Sequence, residues 1–236
     1  MDRDLARRVT AEGLGTALLV TVVVGSGIAA QRLSPGNVGL QLLINAMATG
    51  AGLIALILAL GPVSGGHFNP VVTLADRILG GISTHDGTYY VVAQVAGACG
   101  GAIVANLMFD LPAVTLSTHT RSSGPLWLAE FVATFGLIVV ILGVVRSGRS
   151  SIAAFAVGAY IAAAYWFTSS TSFANPAVTI GRTLTRTFAG IRPSSAPAFI
   201  VVQVAGGLAA VAVARFLHPG LPADSVVVPH ETFPAE

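Results

Sequence analysis

The sequence predicts an all-α membrane protein: six transmembrane helices plus two re-entrant half-helices, arranged as an inverted 3+3 repeat. Three observations carry that prediction. Of 236 residues, 54% are hydrophobic and only 9% charged, against about 25% charged in a soluble domain. Six apolar runs are long enough, or nearly so, to cross ~30 Å of hydrocarbon. And two octets, Gly66-His67-Phe68-Asn69-Pro70-Val71-Val72-Thr73 and Ser172-Phe173-Ala174-Asn175-Pro176-Ala177-Val178-Thr179, are near-copies in matching halves of the chain.

The spans fall at about residues 13–30, 40–60, 89–109, 126–145, 152–167 and 198–217. The first follows a charged start, but it is too long for a removable leader and lacks a plausible cleavage site. The second runs into the first octet. The third carries Gly97-Ala98-Cys99-Gly100-Gly101-Ala102 and the sixth Gly206-Gly207-Leu208-Ala209-Ala210, small residues that let helix backbones approach closely. The fifth is short at its end, just before the second octet. Arg3, Arg7, Arg8, Arg146 and Arg149 flank ends that are cytoplasmic if the N-terminus is inside, with Arg121 and Arg192 then outside. Both termini are therefore expected in the cytoplasm and the chain in a cell (plasma or inner) membrane.

The repeat reaches beyond the octets. Glu12 in the first span matches Glu130 in the fourth, and Gln94 in the third matches Gln203 in the sixth. The offsets between matching Glu, Asn and Gln are 118, 106 and 109 residues. Three spans per repeat is an odd number, so the second repeat enters from the opposite side of the membrane. One domain over 1–236 is expected, with repeats at about 9–110 and 125–218. A tail at 219–236, with four prolines, reads as a disordered cytoplasmic end.

Each octet starts a short helix, because Asn is a preferred N-cap and Pro is favoured at the first helical position. As a cap, Asn69 or Asn175 accepts a backbone N–H through its side-chain oxygen and leaves its amide NH2 to donate into a lumen. Two opposed helix N-termini add about half a positive charge each at the centre. Donors with a positive potential suit neutral oxygen-bearing solutes and repel cations. Interrupted hydrophobic segments at corresponding places in two halves point to a substrate pathway.

Other chemistries find no support. A net charge of +2, with twelve arginines and no lysine, is too small and too scattered to suggest a nucleic-acid partner, and none is expected. The lone Cys99 excludes an internal disulfide and reads as a small core residue. His85, His119, His218 and His230 show no metal spacing, and there is no nucleotide loop or catalytic triad. The expectation is a non-enzyme without cofactor or metal.

Taken together, the doubled Asn-Pro motif, Ser64-Gly65-Gly66-His67-Phe68 before the first copy, and the registered Glu12, Glu130, Gln94 and Gln203 resemble the aquaporin (major intrinsic protein) family over nearly the whole chain. Its doubled Asn-Pro-Ala appears here as Asn69-Pro70-Val71 and Asn175-Pro176-Ala177. Val71 departs by two methyl groups near the constriction. The resemblance implies a homotetramer in the lipid bilayer, one pore per chain, passing small neutral solutes. It also implies that Glu12 and Glu130 hold the re-entrant loops rather than relay protons, although a carboxylate at that depth costs roughly 2.5 kcal/mol unless paired. Gln94 and Gln203 then satisfy stranded backbone groups of the same loops, and His67 packs in its loop.

In water- and glycerol-permeable members the second motif is followed by a filter Arg, three residues after its Asn; here that position is Val178. Family spacing puts Thr49 in place of the usual aromatic. It places the fifth-span member at Ala163 by ungapped count, or at Tyr165 if Gly158 sets the register, and the loop member at Ser172. A Thr49, Ala163, Ser172, Val178 ring is wider and poorer in donors than the usual filter. Bacterial members lacking the filter Arg resemble those associated with trivalent and methylated arsenicals; an ordinary water or glycerol facilitator is the alternative. Arg182, four residues beyond Val178, is either a displaced cation at the vestibule or, as expected, an Arg snorkelling to headgroups or pairing at the loop surface. Arg186 extends the same helical stripe.

Overall fold

The computed structural model describes residues 2–218, so the expected tail at 219–236 lies outside the described residues. Among the described residues the structure is all helical. Six long apolar helices are α1 (Arg3–Leu33), α2 (Val38–Ser64), α4 (Thr84–Met108), α5 (Gly124–Arg146), α6 (Ala153–Phe167) and α8 (Ala196–Leu217). Two short ones, α3 (Pro70–Leu79) and α7 (Pro176–Gly181), begin at the two Asn-Pro dipeptides. The helices outrun the hydropathy estimates because polar ends continue the helix. Asp2 caps α1 by accepting from Leu5 N at 2.7 Å, and Asn37 and Ser83 cap α2 and α4 in the same way. A 3₁₀ turn, Ser150–Ile152, leads into α6 and accounts for the short fifth span.

The surface is apolar and the interior holds polar groups, the inverse of a soluble domain. Phe155, Trp166, Val201 and Phe216 are exposed, while Glu12, Glu130, Gln94 and Gln203 are wholly buried. Such a surface faces lipid. Cys99 is half-buried rather than a core residue.

Equivalent helices of the two repeats pack alike: α1 lies on α4, and α5 lies on α8. Glycine makes both contacts possible. A Cβ at Gly97 would stand 2.2 Å from Gly13 O, one at Gly101 2.1 Å from Ala17 O, and one at Gly206 2.5 Å from Phe131 O. Backbones this close exclude any side chain between them. The repeats meet where α2 crosses α6, Gly50 against Gly158, where a Cβ on Gly158 would lie 2.6 Å from Gly50 O.

Re-entrant segments 65–69 and 168–175 enter from opposite faces, and α3 and α7 return to the faces their loops came from. The half-helices touch through their N-termini, Asn69 Nδ2 donating to Ala174 O at 2.8 Å and Asn175 Nδ2 to Phe68 O at 2.7 Å.

Overpacking a helix contact of this kind costs about 1–3 kcal/mol or more. Gly101→Val is therefore expected to lower the thermal midpoint in detergent by several degrees or abolish accumulation. Gly100→Val, one residue along where a Cβ meets nothing within 4 Å, is expected to leave the midpoint unchanged. Equal effects in a thermal melt would rule out close backbone packing as the cause.

Candidate functional site

A cavity lined by residues of both repeats lies in the middle of the helix bundle. Val145 and Ala153 line it on the N-terminal face, His67, Asn69 and Asn175 at mid-depth, and Thr49, Tyr165 and Val178 toward the other face. Its walls between these points are mostly Leu, Ile and Val.

The loops that reach mid-depth have no helical or sheet partners, so their backbone groups need others. In the first loop Glu12 supplies them. Its Oε1 accepts from Ser64 Oγ at 2.7 Å and His67 N at 2.9 Å, its Oε2 from Phe68 N and Gln94 Nε2, both at 2.7 Å. The second loop repeats the arrangement: Glu130 accepts from Phe173 N at 2.8 Å, Ala174 N at 2.9 Å and Gln203 Nε2 at 2.6 Å. Every group facing either carboxyl is a donor, so both of its oxygens serve as acceptors. Consecutive N–H groups converge on one carboxyl because Phe68 and Ala174 sit at φ 46° and 49°, left-handed for non-glycine residues and costing roughly 1–3 kcal/mol each. Each Gln also donates to the threonine that follows its motif, Gln94 to Thr73 and Gln203 to Thr179, both at 3.0 Å.

Asn69 accepts from Val71 N at 2.9 Å, and Asn175 from Ala177 N at 3.0 Å and Val178 N at 3.2 Å, as N-caps should. Their amides are less free than expected, because one hydrogen of each NH2 crosses to the opposite loop. The second hydrogen of each remains for the lumen that both residues line. His67 lines the lumen too, with Nδ1 3.0 Å from Thr73 Oγ1 and Nε2 3.5 Å from Asp76.

Val71 does not line the cavity. It is buried and packs into α8, where a Cβ on Gly207 would fall 2.2 Å from its Cγ1. The two extra methyl groups occupy a slot that a glycine vacates, outside the cavity lining; Pro70, Pro176 and Ala177 also lie behind it.

Toward the far face, Thr49, Tyr165, Ser172 and Val178 line the cavity, and Thr49 Oγ1 lies 3.1 Å from Tyr165 Oη. Ala163 points outward and is exposed. The ungapped count is thus two residues off, and the register through Gly158 holds. The cavity lining at this level therefore carries an aromatic side chain. Ser172 Oγ is buried without a partner among the described residues.

Arg182 does not snorkel. It is 2% exposed, lines the cavity, donates from Nε to Ala189 O, and sets its guanidinium carbon 3.4 Å from the centre of the Phe173 ring. Arg186 is exposed, because α7 gives way after Gly181 to a 3₁₀ turn, Arg182–Leu184, which ends the α-helical stripe. Sequence reasoning passed over two residues here. Phe173 matches His67 across the repeat offset of 106, a signal present in the octets. Arg121 had no such signal; it comes from the α4–α5 loop, donates to Ser170 O and Gly190 O, and lies 5.1 Å from the same ring. Partial burial, with Arg121 and Arg186 nearby, pulls His119 below the usual histidine range, so at neutral pH arginines carry the charge of this vestibule.

The model of the major intrinsic protein family matches residues 2–172. The chain belongs to this family. An aquaglyceroporin of Rhizobium meliloti (strain 1021), AqpS, is 50% identical over 214 residues, 91% of each chain. Human aquaporin-5 is 34% identical over 151 residues, 61% of this chain and 55% of that one. Among solved structures, the aquaglyceroporin from Plasmodium falciparum superposes with a TM-score of 0.70 at 21% identity, covering 92% of this chain and 96% of that one; at that identity the likeness speaks for the fold. As a major intrinsic protein, the chain belongs to a family of membrane channels, and six of its helices are long and apolar enough to span a membrane.

Two outcomes follow from this geometry. Glu130→Gln can keep the two donors on Oε2 but turns an NH2 toward Phe173 N, whereas Glu130→Ala strands all three, at about 1–3 kcal/mol per buried group. The expected order of detergent stability is Glu130, then Gln, then Ala, with solute flux in the Gln variant retained. Complete loss of flux at undiminished stability would instead indicate a proton relay. Second, Gly207→Ala is expected to destabilise, and Val71→Ala to rescue it in the double variant, a coupling readable in a double-mutant cycle. Additive effects would show that the slot is not shared.

Proposed function

We propose that the chain is a passive channel for small uncharged polar solutes, with glycerol-sized polyols and As(OH)3 inside its range. The observation that carries this reading is the central cavity whose apolar walls are interrupted by the two Asn amides and, further out, by Thr49, Tyr165 and Ser172. A solute with several hydroxyl groups can trade water for these oxygens and N–H groups in turn, while its carbon side or arsenic atom slides along Leu and Val. A hydrated cation meets the opposite: two helix N-termini at mid-depth and no carboxylate in the cavity lining. The name of the half-identical relative, an aquaglyceroporin, supports polyols over strict water selectivity, and the lost filter Arg supports solutes bulkier than water. As(OH)3 is neutral near pH 7 and resembles a small polyol in its display of hydroxyls. The role of Thr49, Tyr165, Ser172 and Val178 as selectivity filter, of residues 1–236 as one channel domain, of a homotetramer and of cytoplasmic termini belongs to the same reading.

Stopped-flow measurements on proteoliposomes separate the alternatives. Wild-type protein is expected to raise glycerol and arsenite flux well above empty vesicles, without dependence on a proton gradient. Val178→Arg should cut glycerol and arsenite flux far more than water flux. Water conduction alone in the wild type would replace this reading by a plain water facilitator, and a requirement for a proton gradient would replace it by coupled transport.

A further inference from the structure

Half-helix α3 and the 3₁₀ turn that follows α7 carry matched residues that reach the pore-lining ring of their own loop, and the match is one of position, not of charge. Across the offset of 106, His67 corresponds to Phe173 and Asp76 to Arg182. In the first half the Asp76 carboxylate stands 3.5 Å from the His67 ring. In the second the Arg182 guanidinium lies 3.4 Å from the centre of the Phe173 ring. The same slot therefore holds an acid behind one mouth of the channel and a cation at the other, and only the cation lines the cavity.

Arg182 is held there from several sides. Its Nε is tied to Ala189 O, its plane is seated on Phe173, and Phe173 is fixed by Glu130 through its N–H and by the edge of Phe199. Among the described residues it has no carboxylate within 4.0 Å, and its two terminal nitrogens make no hydrogen bond. A buried guanidinium with neither counter-ion nor partners for four of its five donors is costly in a packed interior. It is tolerable where those donors face a hydrated lumen. Ser172 Oγ, buried and unpartnered, lines the same stretch.

We propose that Arg182 is the specificity-determining cation of this channel, delivering from one turn beyond Val178 the fixed charge and paired donors that admit polyhydroxylated neutral solutes and turn back cations. Val178 then widens the aperture without discharging it. The inference rests on the channel reading above and names the residue that sets its selectivity.

The test uses the full chain in proteoliposomes, with water, glycerol, erythritol and xylitol flux and sodium conductance as readouts. Arg182→Met is expected to raise sodium conductance about tenfold or more, since one unscreened charge at a few ångströms governs cation passage, and to admit erythritol and xylitol, while water flux stays within about twofold. Arg182→Lys, which keeps the charge but loses the planar stack and paired donors, should hold sodium out while lowering the glycerol-to-water ratio. Val178→Arg with Arg182→Met moves the cation back one turn and should restore sodium exclusion. Unchanged sodium conductance and polyol range in Arg182→Met, with normal water flux, would overturn the inference and leave the channel reading standing. Absent glycerol flux in the wild type would overturn the channel reading instead. Should Arg182→Met fail to accumulate, Phe173→Leu, which removes the stacking ring alone, decides: a shifted glycerol-to-water ratio supports Arg182 as the determinant, and an unshifted one overturns it.

Discussion

The structure depends on one constraint, the need to satisfy non-helical backbone at a depth where a bilayer offers no water. Two loops reach mid-depth, and each exposes consecutive N–H groups that no helix or sheet can take up. Glu12 and Glu130 answer that need with acceptor oxygens wholly buried in their repeats. Their burial is tolerable because four donors surround the first and three the second. In turn the left-handed conformations of Phe68 and Ala174 become affordable, since the strain of each is offset by these hydrogen bonds. Once the loops are fixed, the Asn caps are fixed, and the half-helices can meet through their N-termini.

The tight helix packing serves the same end. A carboxylate on α1 reaches both a loop and Gln94 of α4 only if α1 and α4 are close, and Gly97 and Gly101 bring them close. On the other side Gly206 lets α8 approach α5, so that Gln203 and Glu130 meet at 2.6 Å. Glycines and buried polar residues are thus two parts of one device: the first set the distance that the second require.

This logic explains what was legible in the sequence. Spans, octets, caps and the Glu–Gln register are local patterns or patterns repeated at a near-constant offset, and they placed six helices, both half-helices and the loop anchors. The far end of the cavity was harder. Ala163 and Tyr165 differ by half a turn on α6, and only the crossing of Gly50 with Gly158 decides which faces inward. Val71 looked like a change in the pore, because nothing in its own octet reveals that Gly207, more than a hundred residues later, makes room for it. Arg182 followed the helical count to the cavity, yet Arg186 did not, because the helix tightened to 3₁₀ between them. Arg121 comes from a loop without periodicity and could be placed only by tertiary contact.

The residues that escaped the pattern are also those at which the repeats differ in chemistry. Where the halves carry the same residue type, Asn with Asn, Thr73 with Thr179, Gln with Gln, the cap, the crossing between loops and the Gln–Thr contact recur, and the role is to build the passage. Where they differ, His67 against Phe173, Asp76 against Arg182, Val71 against Ala177, the backbone slot is kept and its occupant changes. An inverted repeat places such differing pairs on opposite sides of the midplane. A substitution in one half therefore makes the passage polar from end to end rather than altering it uniformly. Here that gives a His–carboxylate pair toward the N-terminal face and a guanidinium on an aromatic ring toward the other. The symmetric part of the chain holds the pore open, and the asymmetric part gives its two mouths different chemistry.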